Sequence, residues 1–447
     1  MFQWSGTLDL VTVYSPIFLI PIDPLTMTLK TIFISTGEVS GDLQGALLIE
    51  ALKRQGTAAG LELEIVALGG DQMAQAGAKL LGNTTSIGSV GILESLPFVL
   101  PTLKVQGRAK QYLRQQLPDL VVLIDYMGPN LSIGSFLKRE LPQVPVVYYI
   151  APQEWVWSIS KRNTRMIVEM TDRMLAIFPE EARYFVEKGA SVSWVGHPLV
   201  DRMESSPSRE EARATLGIAP EQTAIALLPA SRQQEIKYLM PVVFEAAKQL
   251  QSRLLDTEQR SQLSQSKGEG LTESQATLTL PPSKGQADSP LFWIPLSLEA
   301  YRHPIEEAVQ RYGLQAKVIA GQTKEILAAA DLAITKSGTV NLELALLDVP
   351  QVVFYRVNPF TYWLARTFLK FSIPFMSPPN LVVMRSIVPE LLQEQATPEN
   401  IVQESLELLF NQERRQQTLK DYQEMRQLLG EVGVCDRAAK EIFQLMS

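Results

Sequence analysis

The chain has 447 residues, 46% of them apolar and 20% charged, and a formal net charge of −7. These values are ordinary for a globular protein, and the length is sufficient for two domains. The acidic balance argues against a general nucleic-acid-binding surface. The single cysteine, Cys435, excludes an internal disulfide, and two histidines are too few for a multi-histidine metal centre. These counts argue against a cysteine-rich or multi-histidine metal site, and the cysteine usage fits a reducing compartment.

The first 27 residues show no clear targeting signal. Residues 10–22 are apolar, but they are interrupted by Pro16 and Pro21 and have no basic region before them. No stretch reaches the roughly 20 apolar residues that a membrane-spanning helix needs. We expect residues 1–27 to be a disordered extension, and Met27 is a natural start.

A strand, a glycine-containing turn and a helix come next. A short apolar run is followed by residues 35–42 (STGEVSGD) and then by leucines at helical spacing. This order is typical of the first unit of a nucleotide-binding α/β domain. Gly37 and Gly41 permit close approach of another group, and Ser40 or Asp42 can cap the helix.

Glu38 lies in this turn and limits the kinds of ligand that the turn can bind. A carboxylate repels phosphate, but it suits hydroxyl groups, amines or an acceptor sugar. The alternative is a tight turn with no chemical function.

Strands and helical segments alternate through the rest of the first half. The further predicted strands are 63–68, 120–124, 144–150, 174–178 and 192–195. Such alternation produces a parallel sheet with helices on both faces. We place the first domain at 28–200.

The pattern restarts after a serine-rich linker at 205–208. Ser208 is a predicted N-cap, with Glu211 as its capping-box partner. Residues 256–290, rich in serine, glutamine and glycine, are expected to form a flexible insertion in a second domain at 208–411. The strands of this domain are predicted at 224–228, 290–295, 316–319, 332–335 and 351–355.

Asp125 directly follows the apolar strand 120–124. It therefore lies at the carboxyl end of a parallel strand, where ligands of such sheets bind. A carboxylate there can accept a proton from an attacking hydroxyl. The alternatives are a helix cap and a buried structural aspartate.

Ser231 and Arg232 follow the strand 224–228. An arginine at this junction can hold a diphosphate with its bidentate fork, and the next helix N-terminus would assist. An ordinary surface arginine is the alternative.

A second candidate diphosphate-binding segment follows the strand 332–335. Ser337, Gly338 and Thr339 open a helix whose free amides can contact phosphate oxygens. Glu343, one turn further, can hydrogen-bond ribose hydroxyls. A plain helix cap is the alternative.

His197 lies in a Gly-His-Pro sequence between the halves. It can face the cleft as a hydrogen-bond donor or serve as a hinge residue. Trp155 and Trp157 alternate, so they pack in the core or hinge, or one of them lines an acyl or sugar groove.

Short motifs in a fixed order over residues 28–445 resemble lipid-A-disaccharide synthases. They are GEVSGD (37–42), ID (124–125), PQEWVW (152–157), VGHP (195–198), LPASR (228–232), SGT (337–339) with Glu343, YRVNPFTYWLA (355–365), PNL (379–381) and PELLQE (389–394). Their shared order makes the resemblance far more specific than any single motif.

The resemblance implies an α/β glycosyltransferase-B (GT-B) fold. Two Rossmann-like domains would face a cleft, and C-terminal helices in 412–447 would cross back to the first domain. The implied reaction joins UDP-2,3-diacylglucosamine to 2,3-diacylglucosamine 1-phosphate through a β-1,6 bond, with inversion and release of UDP. The resemblance implies no metal and no other cofactor, since the UDP-sugar is a substrate.

The resemblance also assigns residues by motif. Asp125 is implied as the general base, Glu38 as an essential acidic residue near the acceptor, and Arg232 as the diphosphate ligand. The implied UDP contacts are Ser231, Arg232, Ser337, Gly338, Thr339 and Glu343. The implied acceptor or cleft residues are Gly37, Ser40, Asn130, His197 and Asn380.

Departures from the family pattern leave alternatives open. The usual Asp-Ala-Pro-Asp-Phe-Asn is DYMGPN at 125–130, Pro-Gly-Ser-Arg is PASR at 229–232, and Pro-Phe-Glu is PEE at 179–181. A related inverting UDP-sugar transferase with another lipid or polyol acceptor is one alternative. A UDP-binding relative without catalysis is another, and a UDP-sugar epimerase would share the fold without the lipid-type motifs.

Acylated substrates imply contact with a membrane surface. Residues 360–375 are aromatic and basic, which suits an interface but also a buried helix. The resemblance implies a peripheral location on the cytoplasmic face of the inner membrane and no nucleic-acid partner. A homodimer that exchanges C-terminal segments is one implied assembly.

Overall fold

The computed structural model describes residues 28–85, 99–156, 161–230, 233–266, 291–356 and 375–446, without the side chains of 38, 233–234 and 257–266. Within these residues strands and helices alternate and form two separate parallel sheets. The predicted extension, Trp157, Ser231, Arg232 and nearly all of the stretch 360–375 lie outside the described residues.

The first sheet has the strand order β3-β2-β1-β4-β5-β6-β7, and every neighbouring pair is parallel. Its strands are β1 (Thr28–Ser35), β2 (Leu61–Gly69), β3 (Lys79–Asn83), β4 (Leu120–Ile124), β5 (Val146–Tyr149), β6 (Arg173–Ala176) and β7 (Val192–Trp194). Six of the seven are matched by the predicted apolar runs, whereas the short β3 contains a glycine and was not predicted. The direction of winding reverses between β1 and β4, which makes this position the topological switch point.

Helices cover both faces of this sheet. They are α1 (Glu38–Ala58), α2 (Asp71–Gln75), α3 (Val99–Gln115), α4 (Met127–Glu140), α5 (Lys161–Met170), α6 (Pro179–Glu187) and α7 (Leu199–Glu204). The apolar faces of the strands are buried against them, with Ile32, Ile34 and Ile124 fully inaccessible.

The start of α1 differs from the sequence prediction. Gly37 is the N-cap residue, and no side chain caps this helix. Asp42 is buried and instead caps α2, accepting hydrogen bonds from the amides of Gly70 (2.8 Å), Gln72 (3.1 Å) and Met73 (3.0 Å). The prediction that Ser40 or Asp42 caps the first helix is therefore wrong, because Asp42 reaches a helix that follows the next strand.

The second sheet repeats the arrangement, with the order β10-β9-β8-β11-β12-β13 and parallel pairing throughout. Its strands are β8 (Ile225–Leu228), β9 (Phe292–Leu296), β10 (Ala316–Ala320), β11 (Leu332–Lys336), β12 (Gln351–Tyr355) and β13 (Glu390–Leu392). The three-residue β13 was not predicted. The switch point lies between β8 and β11.

The helices of the second half and the C-terminus complete the described fold. They are α8 (Arg209–Leu216), α9 (Gln233–Tyr238), α10 (Met240–Ser266), α11 (Arg302–Tyr312), α12 (Thr323–Ala329), α13 (Val340–Leu346), α14 (Pro378–Val383), α15 (Pro398–Phe410), α16 (Gln412–Leu429) and α17 (Val434–Met446). The predicted capping box is confirmed, since Ser208 Oγ accepts from the Glu211 amide and the Glu211 carboxylate accepts from the Ser208 amide.

Helix α10 runs further than its composition suggests. It continues to Ser266 and so includes residues 256–266, which were predicted to belong to the flexible insertion. Glutamate, glutamine, arginine and leucine in this segment are good helix formers, and this explains the difference. Residues 267–290 lie outside the described part of the chain.

The last helix returns to the first half, as predicted. Helix α17 packs along α1, and the Gln55 amide donates to the Asp436 carbonyl at 2.8 Å. Glu441 forms an ion pair with Arg173 at 3.0 Å. None of the helices in the described segments is long and apolar enough to cross a bilayer.

Candidate active site

Asp125 and Gly37 lie at the carboxyl ends of two adjacent strands. Strands β1 and β4 pair in register up to Ser35 and Leu123, so the residues that follow them meet at the first switch point. A ligand that enters this crevice contacts both loops.

The backbone at Asp125 is strained and tightly held. Asp125 has φ 45°, Tyr126 has φ 48° and Ile150 has φ 60°, all left-handed. The Asp125 amide donates to the Ile150 carbonyl at 3.0 Å, and the Asp125 carbonyl accepts from the Tyr148 hydroxyl at 2.8 Å. Strained non-glycine residues held in this way are concentrated at functional sites. Asp125 itself is exposed at this edge of the sheet.

The Asn130 side chain holds the backbone at Asp125 in place through hydrogen bonds. It is fully buried, its Oδ1 accepts from Ser35 Oγ at 2.7 Å, and its amide donates to the carbonyls of Ile124 (3.0 Å) and Asp125 (2.8 Å). Asn130 was predicted to contact the acceptor or line the cleft. The structure instead gives it a positioning role, because its side chain is buried and joins the ends of β1 and β4.

Tyr126 covers Gly37. A Cβ atom added at Gly37 would lie 2.5 Å from Cγ and Cε2 of the Tyr126 ring. Glycine is therefore required at 37 by the ring, while its own φ of −131° is open to any residue. Glu38 begins α1 beside this contact, and Ser40 is half-buried in the first turn.

Glu181 fixes the loops after β5 and β6. Its carboxylate accepts from the amides of Ala151 (3.0 Å), Ile177 (2.8 Å) and Phe178 (3.2 Å). Complete burial raises the pKa of Glu181 to about 7, against the opposing effect of these three donors. Sequence reasoning missed this residue, although the shared glutamate of the Pro-Phe-Glu pattern pointed to it.

The second switch point brings together the loops after β8 and β11. Ser337 donates its hydroxyl to the Met376 carbonyl at 2.7 Å. The Gly338 amide donates to Asn341 Oδ1 at 2.7 Å, so a phosphate would have to replace this bond, and the contact of Gly338 with UDP stays a prediction. Thr339 is the N-cap of α13 and makes no side-chain capping bond.

A buried polar network braces this loop and was not predicted. The Asn341 amide donates to Gln351 Oε1 at 2.9 Å. The Gln351 amide donates to the Asn341 carbonyl at 2.8 Å and to the Tyr422 hydroxyl at 3.4 Å. Helix α16 thus supports the loop through contacts between residues distant in the sequence.

Glu343 is paired with a residue of the first half. Its carboxylate lies 2.8 Å from the Arg202 guanidinium, and both side chains are largely buried. Arg202 belongs to α7 and Glu343 to α13, so this ion pair links the two halves. The predicted ribose ligand is therefore engaged by an arginine that the motif analysis did not identify.

Comparison with known proteins assigns the family. The family model described as lipid-A-disaccharide synthetase matches residues 32–282 and 280–444. The lipid-A-disaccharide synthase of Gloeothece citriformis is 59% identical over 92% of this chain and 99% of its own length. The lipid-A-disaccharide synthase of Synechocystis sp. is 51% identical over 92% of this chain and 97% of its own length. A Staphylococcus aureus MnaA–UDP structure superposes with TM-score 0.60 at 14% identity, over 92% of this chain and 96% of the other.

This chain belongs to the lipid-A-disaccharide synthase family. The predicted family, the GT-B fold and the class of enzyme, a glycosyltransferase of lipid A biosynthesis, are confirmed. The family match rests on sequence identity over most of the chain, and the likeness to MnaA supports the fold.

Two further predicted cleft residues are buried, as Asn130 is. Asn380 Oδ1 accepts from the amides of Ile387 (2.7 Å) and Val388 (2.9 Å), and its amide donates to the Val388 carbonyl. Asn380 has no accessible surface, so it shapes the turn after α14 and does not line the cleft here.

His197 is the other buried residue. Its Nδ1 accepts from the Leu199 amide at 3.1 Å, and its own amide donates to the Leu429 carbonyl at 2.8 Å. Burial lowers the pKa of His197 to about 3, so the ring is neutral at physiological pH. Phe178 packs on it, with Trp155 beyond. His197 is therefore a buried residue bonded to backbone groups between the two halves, and its role as a hinge stays a prediction.

The described part of the chain contains no cluster of three or more histidine, cysteine, aspartate or glutamate side chains able to hold a metal ion. The absence of a metal requirement stays a prediction.

Proposed function

We propose that the chain transfers 2,3-diacylglucosamine from UDP-2,3-diacylglucosamine to 2,3-diacylglucosamine 1-phosphate. The products are the β-1,6-linked disaccharide 1-phosphate and UDP. The observation that carries the proposal is Asp125, an exposed carboxylate at the first switch point on a backbone held in a strained conformation.

The chemistry needs one base and one stabilised leaving group. Asp125 takes the proton from the 6-hydroxyl of the acceptor as that oxygen attacks the anomeric carbon from the face opposite UDP. The bond from that carbon to the diphosphate oxygen breaks, its electron pair stays with UDP, and the anomeric centre is inverted. A preformed site for the departing charge lowers the barrier.

We place UDP at the second switch point, beside Ser337, Gly338 and Thr339. These residues are half-buried at the carboxyl end of β11, where ligands of such sheets bind. Arg232 would hold the diphosphate, and Glu343 would bond the ribose after release from Arg202. The motif order and the sheet topology support this placement.

The test is a transferase assay in the presence of EDTA with both acylated substrates, on wild type, Asp125→Ala and Asp125→Asn. We expect UDP release and disaccharide formation in wild type and the loss of both in the two variants. The matched control is Glu180→Gln, which also removes a carboxylate charge and should stay active. Glu180 lies on the surface in a solvent-exposed ion pair with Arg183. Full activity of Asp125→Asn would exclude a base at this position.

A second candidate function is transfer to a different lipid acceptor. Tyr126 replaces the alanine that is usual in the family, and its ring occupies the space over Gly37 next to the base. A panel of acylated acceptors separates the two functions, since a wild type that binds UDP but forms no disaccharide would favour this alternative.

We also propose that the protein works as a peripheral protein on the cytoplasmic face of a membrane. Helix α3 begins with exposed Val99, Leu100 and Leu103, the second of them 70% accessible, and Lys104 and Arg108 follow on the exposed surface. Apolar side chains beside basic ones suit an anionic lipid surface.

Vesicles that contain anionic lipid test this location. Replacing Val99, Leu100 and Leu103 by serine should reduce co-sedimentation at least tenfold, because each aliphatic side chain contributes roughly 1.5–3 kcal/mol when buried. Leu298→Ser, a single exposed leucine in the second half, is the control. A homodimer remains a further proposal, tested by light scattering.

A further inference from the structure

Lys336 is the last residue of β11 and lies at the second switch point. Strands β8 and β11 pair up to Leu228 and Thr335, so Lys336 is the first residue beyond the pairing. The SGT motif of the sequence analysis begins at Ser337 and assigns no role to this lysine.

The ammonium group lies at the loop where we place the diphosphate. Lys336 Nζ is 3.4 Å from the Ser337 carbonyl and 3.5 Å from the position that a Cβ of Gly338 would occupy. A phosphate that approaches the Gly338 backbone therefore meets this ammonium group.

A carboxylate from the opposite side of the switch point holds it there. Lys336 Nζ and Glu235 Oε1 are 3.2 Å apart, and the two side chains are only 13% and 8% exposed. Glu235 belongs to α9, which follows the loop after β8. The ion pair thus spans the crevice between the two loops.

Stability alone is a poor reason for this pair. Removing two charges from water is costly, and an apolar pair of similar size usually serves the fold as well. A cation that is held in place before the ligand arrives is, in contrast, useful for an anion whose charge increases during the reaction.

We propose that Lys336 is a diphosphate-binding residue of the donor site, and that Glu235 positions its ammonium group before the donor binds. The proposal rests on the proposed function, since it deepens the UDP site given above. UDP carries one more negative charge than the diphosphate of the UDP-sugar, so Lys336 favours departure of the leaving group as well as binding.

The test measures UDP affinity by calorimetry and uridine affinity by ligand-observed NMR, without metal. For Lys336→Met we expect UDP to bind about 10- to 100-fold more weakly, as is typical for loss of a hydrogen bond to a charged group. Uridine has no phosphate and should bind as it does to wild type. Lys336→Arg should keep UDP affinity within a few-fold.

Glu235→Gln should change the UDP affinity in the opposite direction from Lys336→Met. The glutamine oxygen can still accept a hydrogen bond from the ammonium group and keep it in place, but it carries no charge that competes with the diphosphate, so UDP should bind several-fold more tightly. Lys317→Met is the matched control, because this lysine on β10 of the same domain lies over the ring of Trp293 on β9. Its loss should change the affinity of neither UDP nor uridine. If Lys336→Met does not fold, the double variant with Glu235→Gln removes both charges and should show the same weakening for UDP alone.

Two results would overturn the proposal. One is wild-type UDP affinity in Lys336→Met, and the other is an equal loss of UDP and uridine affinity, which indicates a purely structural pair. A wild type that fails to bind UDP at all would instead refute the proposed donor site itself.

Discussion

A methyl group added at Gly37 would collide with the ring of Tyr126. Its distance of 2.5 Å to Cγ and Cε2 is well below the roughly 3.5–4.0 Å of ordinary carbon contacts, so the ring would have to move by about 1 Å. Overpacking of this kind costs about 1–3 kcal/mol, and the reduced entropy of the unfolded chain recovers about 0.4–1 kcal/mol. We therefore expect Gly37→Ala to lower the free energy of unfolding by about 1–2 kcal/mol.

The catalytic effect should be larger. Tyr126 follows Asp125 directly, and both have left-handed backbones. A displacement of about 1 Å at a reacting group can cost roughly 100-fold in rate, so kcat should fall by about that factor. Denaturant unfolding followed by tryptophan fluorescence, together with the disaccharide assay, measures both quantities.

The double variant isolates the cause. In a Tyr126→Ala background, with the alanine usual in the family, Gly37→Ala should cost nothing in stability or rate beyond Tyr126→Ala alone. Gly107→Ala is the control, because a Cβ there meets nothing within 4 Å and the residue lies inside α3. A Gly37→Ala protein as stable and active as wild type, or a penalty that persists without the ring, would refute the reasoning.

Three further predictions concern the groups around the cleft. His197 has its pKa lowered to about 3, whereas the unfolded chain titrates near 6.5, so stability is lost as the pH falls below 6.5. Between pH 7.5 and 5 this contribution of His197 amounts to a loss of about 2 kcal/mol, which His197→Asn, a variant that keeps a hydrogen-bond acceptor, should lack. The buried Glu181, whose pKa is raised to about 7, contributes equally to both proteins, so the change in unfolding free energy between the two pH values, measured by urea unfolding, should differ by about 2 kcal/mol between wild type and variant. Arg202→Gln should release Glu343 and raise uridine affinity several-fold in the NMR titration. Tyr148→Phe removes the hydroxyl that holds the Asp125 carbonyl, so kcat should fall several-fold with unchanged KM for both substrates in steady-state kinetics.

Each of these has a contrary outcome. The same pH dependence in wild type and His197→Asn would mean that the ring does not stay neutral in the folded state. Uridine binding that weakens in Arg202→Gln would show that the ion pair supports the site rather than competing with the ribose. A rise in KM without a change in kcat for Tyr148→Phe would place the hydroxyl in substrate binding.

Local pattern predicted most of the fold. Apolar runs such as 120–124 form strands that are buried on both faces of a sheet. Their length and spacing can be recognised without knowing which strands they pair with. Strands β3 and β13 were missed because they are short and weakly apolar. Residues 256–266 were predicted to be flexible from their polar composition, but they form the end of helix α10 because many of them have high helix propensity.

The sequence by itself determined the family, the two parallel sheets and the position of Asp125 at a strand end. The tertiary structure decided which polar groups are already engaged. Asn130, His197 and Asn380 carry motif positions, yet they are buried and bonded to backbone groups. Such partners come from distant segments, and a local motif contains no information about them.

The same reason applies at the donor site. The motif drew attention to Ser337, Gly338 and Glu343, but only the folded chain places Arg202 against Glu343 and Glu235 against Lys336. Charge pairing depends on distances of a few ångströms between residues up to 141 positions apart. Those distances are set by how the two sheets and the C-terminal helices pack, and the order of the motifs does not encode them.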